Sequence, residues 1–73
     1  MVEKSTLIQR QFGNRIRELR AKANLSQEKL GFETGLDRTY ISGIERGQRN
    51  PSLKNINKIA KALRISPSEL FKF

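Results

Sequence analysis

Residues 27–46 read QEKLGFETGLDRTYISGIER, two short helical segments on either side of one glycine. Apolar residues recur in this segment at the spacing that seals the corner between two crossing helices. They are Leu30, Leu36, Ile41 and Ile44. Gly31 is small enough for the second helix to cross close by, and Gly35 permits the positive φ of a tight turn. The spacing therefore predicts a helix-turn-helix.

Local signals set the ends of these two helices. Ser26 is a capping residue for a helix that runs to about Thr34, where Gly35 stops it. Asp37 caps the second helix of the motif, which runs from Arg38 to Arg46.

Three more helices are predicted outside the motif. One runs from about Ser5 to Ala23, with apolar residues on one stripe. Another follows the capping residue Ser52, again with one apolar face. The two apolar sets are Ile8, Phe12, Ile16, Leu19 and Ala23, and then Leu53, Ile56, Ile59, Ala60 and Leu63. Residues 66–69, Ser-Pro-Ser-Glu, have the pattern of a capping box and predict a last short helix through Phe71. We therefore expect an all-α fold of five helices.

Composition limits what such a domain can do. The chain has 73 residues, with 15 Lys and Arg against 7 Asp and Glu, which gives a net charge of +8 and favours a polyanionic partner. It has no cysteine and no histidine, so we expect neither catalysis nor a metal or other cofactor. Without an apolar run of membrane-spanning length or a signal peptide, we expect a cytoplasmic protein. One domain should span residues 1–73, with 1–5 as a flexible N-terminus.

The second helix of the motif has one polar, basic face. Winding residues 38–46 at about 100° per residue places Ile41 and Ile44 on the buried side. The opposite side carries Thr39, Ser42, Gly43 and Arg46, and Arg38 lies in the first turn. Small polar residues and arginine suit a helix that enters the major groove of double-stranded DNA. We predict base contacts by Arg38 and Thr39, and expect Ser42 and Tyr40 to contact bases or phosphates.

Phosphate contacts are predicted on both sides of this helix. Gln27 lies at the start of the preceding helix, where free backbone N–H groups and the helix dipole favour an anion. Arg49 and Asn50 lie in the irregular loop that follows the motif and could hold a second phosphate.

The sequence resembles the phage-repressor-type (Cro/C1, or XRE) helix-turn-helix family. The resemblance rests on residues 25–30 (LSQEKL), Gly35, 41–42 (IS), 44–47 (IERG) and 51–53 (PSL). Within that family, RTYIS at 38–42 and ERGQRN at 45–50 are most similar to controller proteins of restriction-modification systems.

The resemblance implies a lambda-repressor-like domain of bacterial or phage origin. It further implies a homodimer that regulates transcription, both activating and repressing, from a pseudo-palindromic operator. It assigns Arg46 to a phosphate and makes Arg20 and Glu45 a structural ion pair. The family usually has alanine where this chain has Gly31 and an aliphatic residue at Thr34, and we expect Phe32 to compensate for this in the packing.

Two surfaces are predicted for protein contacts. The C-terminal residues Ile65, Leu70, Phe71 and Phe73 are many apolar side chains for a short segment, and we predict the dimer interface there. At least one of Ile65 and Leu70 should instead close the core of the monomer. Glu28 and Glu33, with Asp37, form an acidic cluster near the turn, which suggests a contact with RNA polymerase.

Alternatives stay open at this point. Another small XRE-type repressor or an antitoxin-like regulator would have the same sequence features. A nucleic-acid-binding protein that uses charge without reading sequence would also be basic, and a helical surface could bind a protein partner.

Overall fold

A computed structural model describes residues 6–73 as four α-helices and one 3₁₀ helix. The elements are α1 (Leu7–Lys22), α2 (Gln27–Thr34), α3 (Arg38–Glu45), α4 (Leu53–Leu63) and the 3₁₀ helix (Pro67–Phe71). This part of the chain contains no strand, so the all-α prediction is confirmed. The expected flexible N-terminus, residues 1–5, lies outside the described residues.

The fifth α-helix of the prediction is wrong, because the last element is a 3₁₀ helix of five residues. The expected capping box does not form. The Ser66 hydroxyl makes no cap bond to the backbone and lies 3.0 Å from the hydroxyl of Ser68. The Glu69 carboxylate pairs with the Lys72 ammonium at 2.7 Å. Without either capping bond, this short segment keeps the tighter i to i+3 hydrogen bonds of a 3₁₀ helix.

Each of the four described α-helices begins with a side-chain cap. The hydroxyls of Ser26 and Ser52 and the carboxylate of Asp37 accept backbone N–H bonds, as expected. At α1 the cap is Thr6, one residue after the predicted start, and it forms a capping box with Gln9. The turn after α2 uses Gly35 at φ 74°, a conformation that glycine adopts without strain.

The core lies where the four helices and the C-terminal segment meet. Its buried apolar residues are Phe12, Ile16, Leu30, Ile41, Ile44, Ile56, Ile59, Ala60 and Leu70. Three residues predicted on the apolar stripes are exposed: Ile8 (57%), Leu53 (84%) and Ala23. Ile8 and Leu53 lie in the first turn of their helices, where the described elements leave them uncovered, and Ala23 is the C-cap of α1. Ile8 lines a cleft together with Phe71.

Close backbone approach explains the small residue in α2. A Cβ atom on Gly31 would lie 2.7 Å from the carbonyl oxygen of Leu36, so the turn folds directly against the helix. Buried Thr34 satisfies its hydroxyl locally, donating to the carbonyl oxygens of Leu30 (2.8 Å) and Gly31 (3.1 Å). The expected compensation by Phe32 is wrong, because its ring is 80% exposed.

None of the described helices is long and apolar enough to span a membrane.

Candidate nucleic-acid interface

The exposed face of α3 lies opposite its buried isoleucines. Ile41 and Ile44 are almost completely buried against the core. On the other side Arg38, Thr39 and Arg46 are exposed and Ser42 is half-buried. Because two buried residues hold the helix, its polar side chains keep a defined direction toward solvent.

One residue of the predicted face is covered. Gly43 is buried beneath the side chain of Arg49, and a Cβ atom on Gly43 would come within 2.8 Å of the Arg49 Cγ atom. The glycine therefore lets Arg49 lie across α3. Helical winding alone had predicted that Gly43 is exposed.

Arg49 also contacts Tyr40. The guanidinium carbon of Arg49 lies 5.8 Å from the centroid of the Tyr40 ring, within the range of a cation–π contact. The Tyr40 hydroxyl accepts a hydrogen bond from the Asn55 side chain at 3.2 Å, which leaves its own proton able to donate to a phosphate. Sequence reasoning missed Asn55, since a bond between residues 15 positions apart leaves no local pattern.

Asp37 and Thr39 form a small hydrogen-bonded unit at the start of α3. One carboxylate oxygen of Asp37 accepts from the Thr39 backbone N–H at 3.1 Å and also from the Thr39 hydroxyl. The hydroxyl bond first, then the backbone bond and the charge of Arg38, hold the pKa of Asp37 below its ordinary value against a weak opposing effect of burial. The carboxylate is therefore ionised at neutral pH.

A buried carboxylate joins α3 to α1 and α2. The Glu45 side chain is fully buried, and its two oxygens lie 2.5 and 3.0 Å from nitrogens of Arg20. A nitrogen of Arg17 lies 3.7 Å away. The expected ion pair of Arg20 and Glu45 is thus confirmed.

The ionisation of Glu45 follows from these partners. Burial would raise the pKa of Glu45, but hydrogen bonds from Arg20 and Gln27, with the charges of Arg20 and Arg17, outweigh burial and lower it. The Arg20 pKa is raised, chiefly by its hydrogen bond to Glu45. Both groups are charged at neutral pH.

Gln27 is oriented by the same carboxylate. Its amide nitrogen donates to Glu45 at 3.0 Å, so the direction of the amide group at the start of α2 is fixed. An amide nitrogen carries two hydrogens, and the second can donate to a phosphate. Sequence reasoning placed Gln27 at this helix end but missed the residue that orients it.

The loop after α3 carries further polar groups. Arg46, Arg49 and Asn50 are exposed, and the Arg46 Nε atom lies 3.4 Å from the carbonyl oxygen of Ser42. Arg49 lies across α3 and Gln27 is hydrogen-bonded to Glu45 in the last turn of that helix, whereas Asn50 lines a cleft with Ile8 and Phe71.

The predicted protein-contact residues separate into buried and exposed sets. Leu70 is fully buried in the core, which removes it from the predicted dimer interface and confirms the expectation that at least one of Ile65 and Leu70 closes the core of the monomer. Ile65 is half-buried against the same core. Phe71 and Phe73 are 43% and 53% exposed, and the Phe71 ring packs against Phe12 with centroids 4.9 Å apart.

The acidic residues of α2 are accessible. Glu28 and Glu33 are both exposed, and Glu33 lies 3.9 Å from the Lys29 ammonium, which also lies over the exposed Phe32 ring.

Comparison with known proteins bears on this arrangement. The profile of the helix-turn-helix family matches residues 16–70. Control protein C.BamHI of Bacillus amyloliquefaciens is 59% identical over 63 residues, covering 85% of this chain and 78% of that protein. Control protein C.MunI of Mycoplasma sp is 52% identical over 61 residues, covering 82% of each. The crystal structure of the restriction-modification controller protein C.AhdI from Aeromonas hydrophila superposes with a TM-score of 0.85 at 60% identity, covering 86% of this chain and 96% of that one.

Proposed function

This chain belongs to the helix-turn-helix family, and we propose that it is a DNA-binding transcription regulator of the restriction-modification controller type. It is a non-enzymatic cytoplasmic protein in which residues 1–73 belong to one helix-turn-helix domain, and it acts as a homodimer on its own promoter region. The observation that carries the proposal is the exposed polar and basic face of α3, held in a fixed direction by Ile41 and Ile44.

Base reading is assigned to the start of α3. Arg38 is exposed in the first turn, and a guanidinium can bond the O6 and N7 atoms of guanine together. Thr39 lies beside it, and half-buried Ser42 is one turn further along the same face.

Phosphate contacts are assigned to the groups that flank α3. Gln27 has an oriented amide with one hydrogen to donate, and Tyr40 has a positioned hydroxyl. Arg46, Arg49 and Asn50 supply charge and donors on the other side. Such contacts set the position of a protein on the duplex without specifying its sequence.

Dimerisation is assigned to the exposed apolar side chains beside the C-terminus. Phe71 and Phe73 form this surface with Ile8, which lines the same cleft as Phe71. Ile65, half-buried against the core, stays a predicted interface residue. Two copies related by a two-fold axis would bind a pseudo-palindrome whose half-sites lie one helical turn apart, about 34 Å.

Selection of bound duplexes from a random pool tests the function. We expect an enriched pseudo-palindrome for the wild type. Arg38→Ala should lower affinity by about 1–3 kcal/mol and relax one base position in each half-site, whereas Gln27→Ala should weaken all sequences alike. Lys61→Ala removes the same charge from an exposed site on α4 and serves as the control. Uniform recovery of the random pool by the wild type would contradict sequence-specific binding and favour binding by charge alone.

Activation of transcription is assigned to Glu28 and Glu33. Both carboxylates are exposed on α2, where a basic surface of RNA polymerase could reach them. In vitro transcription from the protein's own promoter, at matched DNA occupancy, should show less activation by Glu28→Gln and Glu33→Gln. Unchanged activation by both variants would exclude this surface and leave DNA binding intact.

A further inference from the structure

The hydroxyl proton of Thr39 is used in a hydrogen bond within the protein. Asp37 is ionised, and an ionised carboxylate can only accept hydrogen bonds. The bond between the Asp37 carboxylate and the Thr39 hydroxyl therefore has threonine as its donor. The same carboxylate oxygen also accepts the Thr39 backbone N–H, which fixes that oxygen in place as the helix cap.

This internal bond limits the hydrogen bonds that the Thr39 hydroxyl can make to a ligand. A free threonine hydroxyl can both donate and accept, so it can bond to any base edge. With its proton held by Asp37, the Thr39 oxygen keeps only its lone pairs, and the exposed side chain adds a methyl group.

The base edges of the major groove differ in this respect. Adenine N6 and cytosine N4 donate, whereas guanine presents only the acceptors N7 and O6, and thymine presents an acceptor and a methyl group. An oxygen that can only accept thus bonds to adenine or cytosine, and the threonine methyl group can contact thymine. Neither group can bond to guanine.

We propose that Asp37 determines the base specificity of Thr39 by making its hydroxyl an acceptor only. The proposal rests on the proposed function, because it needs α3 to read bases. Asp37 is a positioning residue in this arrangement and acts on DNA sequence through Thr39, in addition to capping α3.

Four proteins test the proposal by duplex selection followed by affinity measurements on single-base variants of the selected site: wild type, Thr39→Val, Asp37→Gly and Asp37→Asn. Valine has the shape of threonine without the hydroxyl, so the position whose preference changes in Thr39→Val is the one that the Thr39 hydroxyl reads. Wild type should disfavour guanine there by about three- to tenfold relative to adenine or cytosine, the range of one hydrogen bond.

The two Asp37 variants separate hydrogen bonding from charge. Both remove one negative charge, and both glycine and asparagine are accepted at an N-cap, so α3 should fold in each. In Asp37→Asn the backbone N–H of Thr39 still requires an oxygen, which places the amide oxygen where it also holds the hydroxyl. The Asp37→Asn protein should therefore keep the wild-type preference, whereas Asp37→Gly frees the proton and should reduce discrimination against guanine to less than about twofold.

A double variant adds a stricter requirement. Adding Asp37→Gly to Thr39→Val should change no base preference, because there is no hydroxyl to release. Thermal melting followed by circular dichroism checks that each protein is folded.

Three outcomes would overturn the proposal. A Thr39→Val selection identical to wild type would mean that the Thr39 hydroxyl reads no base. A Thr39 position with the same discrimination in Asp37→Gly as in wild type would mean that Asp37 only caps the helix. In both cases sequence-specific binding stands, whereas a wild type that selects no sequence would overturn the proposed function together with this inference.

Discussion

Replacing Glu45 by glutamine should destabilise the fold strongly, although the two side chains have nearly the same shape. The substitution leaves Arg20, only 16% exposed, without the charge that balances it, while the amide can still bond to Gln27. Removing one partner of a fully buried pair costs about 3–5 kcal/mol. Arg20 keeps some access to water and a 2.7 Å bond to the carbonyl oxygen of Leu25, so we expect a loss of about 2–3 kcal/mol.

Urea unfolding followed by circular dichroism measures this loss. For a domain of this size the free energy of unfolding falls by about 1 kcal/mol per molar urea, so the midpoint should fall by about 2–3 M. Glu18→Gln is the matched control, because Glu18 also pairs with an arginine, Arg15 at 3.0 Å, but its side chain is 57% exposed. Exposed pairs contribute little, so that variant should stay within about 1 kcal/mol of wild type.

The stability difference between wild type and Glu45→Gln should also depend on pH. The pKa of Glu45 is lower in the folded chain than its ordinary value of 4.5, so the unfolded chain binds the proton more readily. The stabilisation by Glu45 is then fully present above about pH 4.5 and is lost as the pH falls through the lowered pKa. The difference between wild type and Glu45→Gln should therefore be constant near neutral pH and narrow in acid. A difference no larger than that of Glu18→Gln at pH 7, or one that does not change with pH, would refute the reasoning.

Three other substitutions test separate features of the structure. Gly31→Ala should lower the free energy of unfolding in urea by about 1–3 kcal/mol despite the better helix propensity of alanine. The reason is that the new Cβ atom would lie 2.7 Å from the Leu36 carbonyl oxygen. Equal or higher stability would show that the turn moves to accommodate the methyl group. Arg64→Gly should raise stability by about 0.5–1 kcal/mol, since Arg64 ends α4 at φ 61°; a loss in the same unfolding assay would contradict this. Phe73→Ser should shift sedimentation toward monomer, whereas Phe32→Ser, at an even more exposed phenylalanine, should not; equal behaviour of the two would argue against the proposed interface.

Sequence periodicity predicted the helices and most of the core, because both depend on neighbours three or four residues apart. It indicates which side of a helix is apolar, but not whether another element covers that side at a given turn. Ile8 and Leu53 show the difference, since each continues an apolar stripe and is nevertheless exposed. Leu70 shows the converse, because a leucine in the last turn of the described chain, predicted at an interface, is fully buried.

The exposed face of α3 could also be predicted from periodicity. The hydrogen-bond partners of the residues beside that face could not. Gln27 and Glu45 are 18 residues apart, and Tyr40 and Asn55 are 15 apart, so only the folded chain brings each pair together. Arg49 was predicted as a phosphate contact in the irregular loop after the motif, and its position across α3 depends on the absence of a side chain at Gly43.

The pairing of Asp37 with Thr39 differs from these long-range contacts, because the residues are two positions apart and a local rule describes it. A carboxylate at an N-cap faces the backbone N–H groups of the first turn, and a hydroxyl two residues later lies beside the same oxygen. Sequence analysis identified Asp37 as a cap and Thr39 as a base reader and treated the two roles as independent. The structure joins them through one carboxylate oxygen, so the oxygen that caps the helix also accepts the proton that a free threonine would offer to a base. Where a helix cap lies this close to a reading residue, stability and specificity share the same atoms, and substitutions chosen to strengthen the cap should be expected to alter the selected DNA sequence as well.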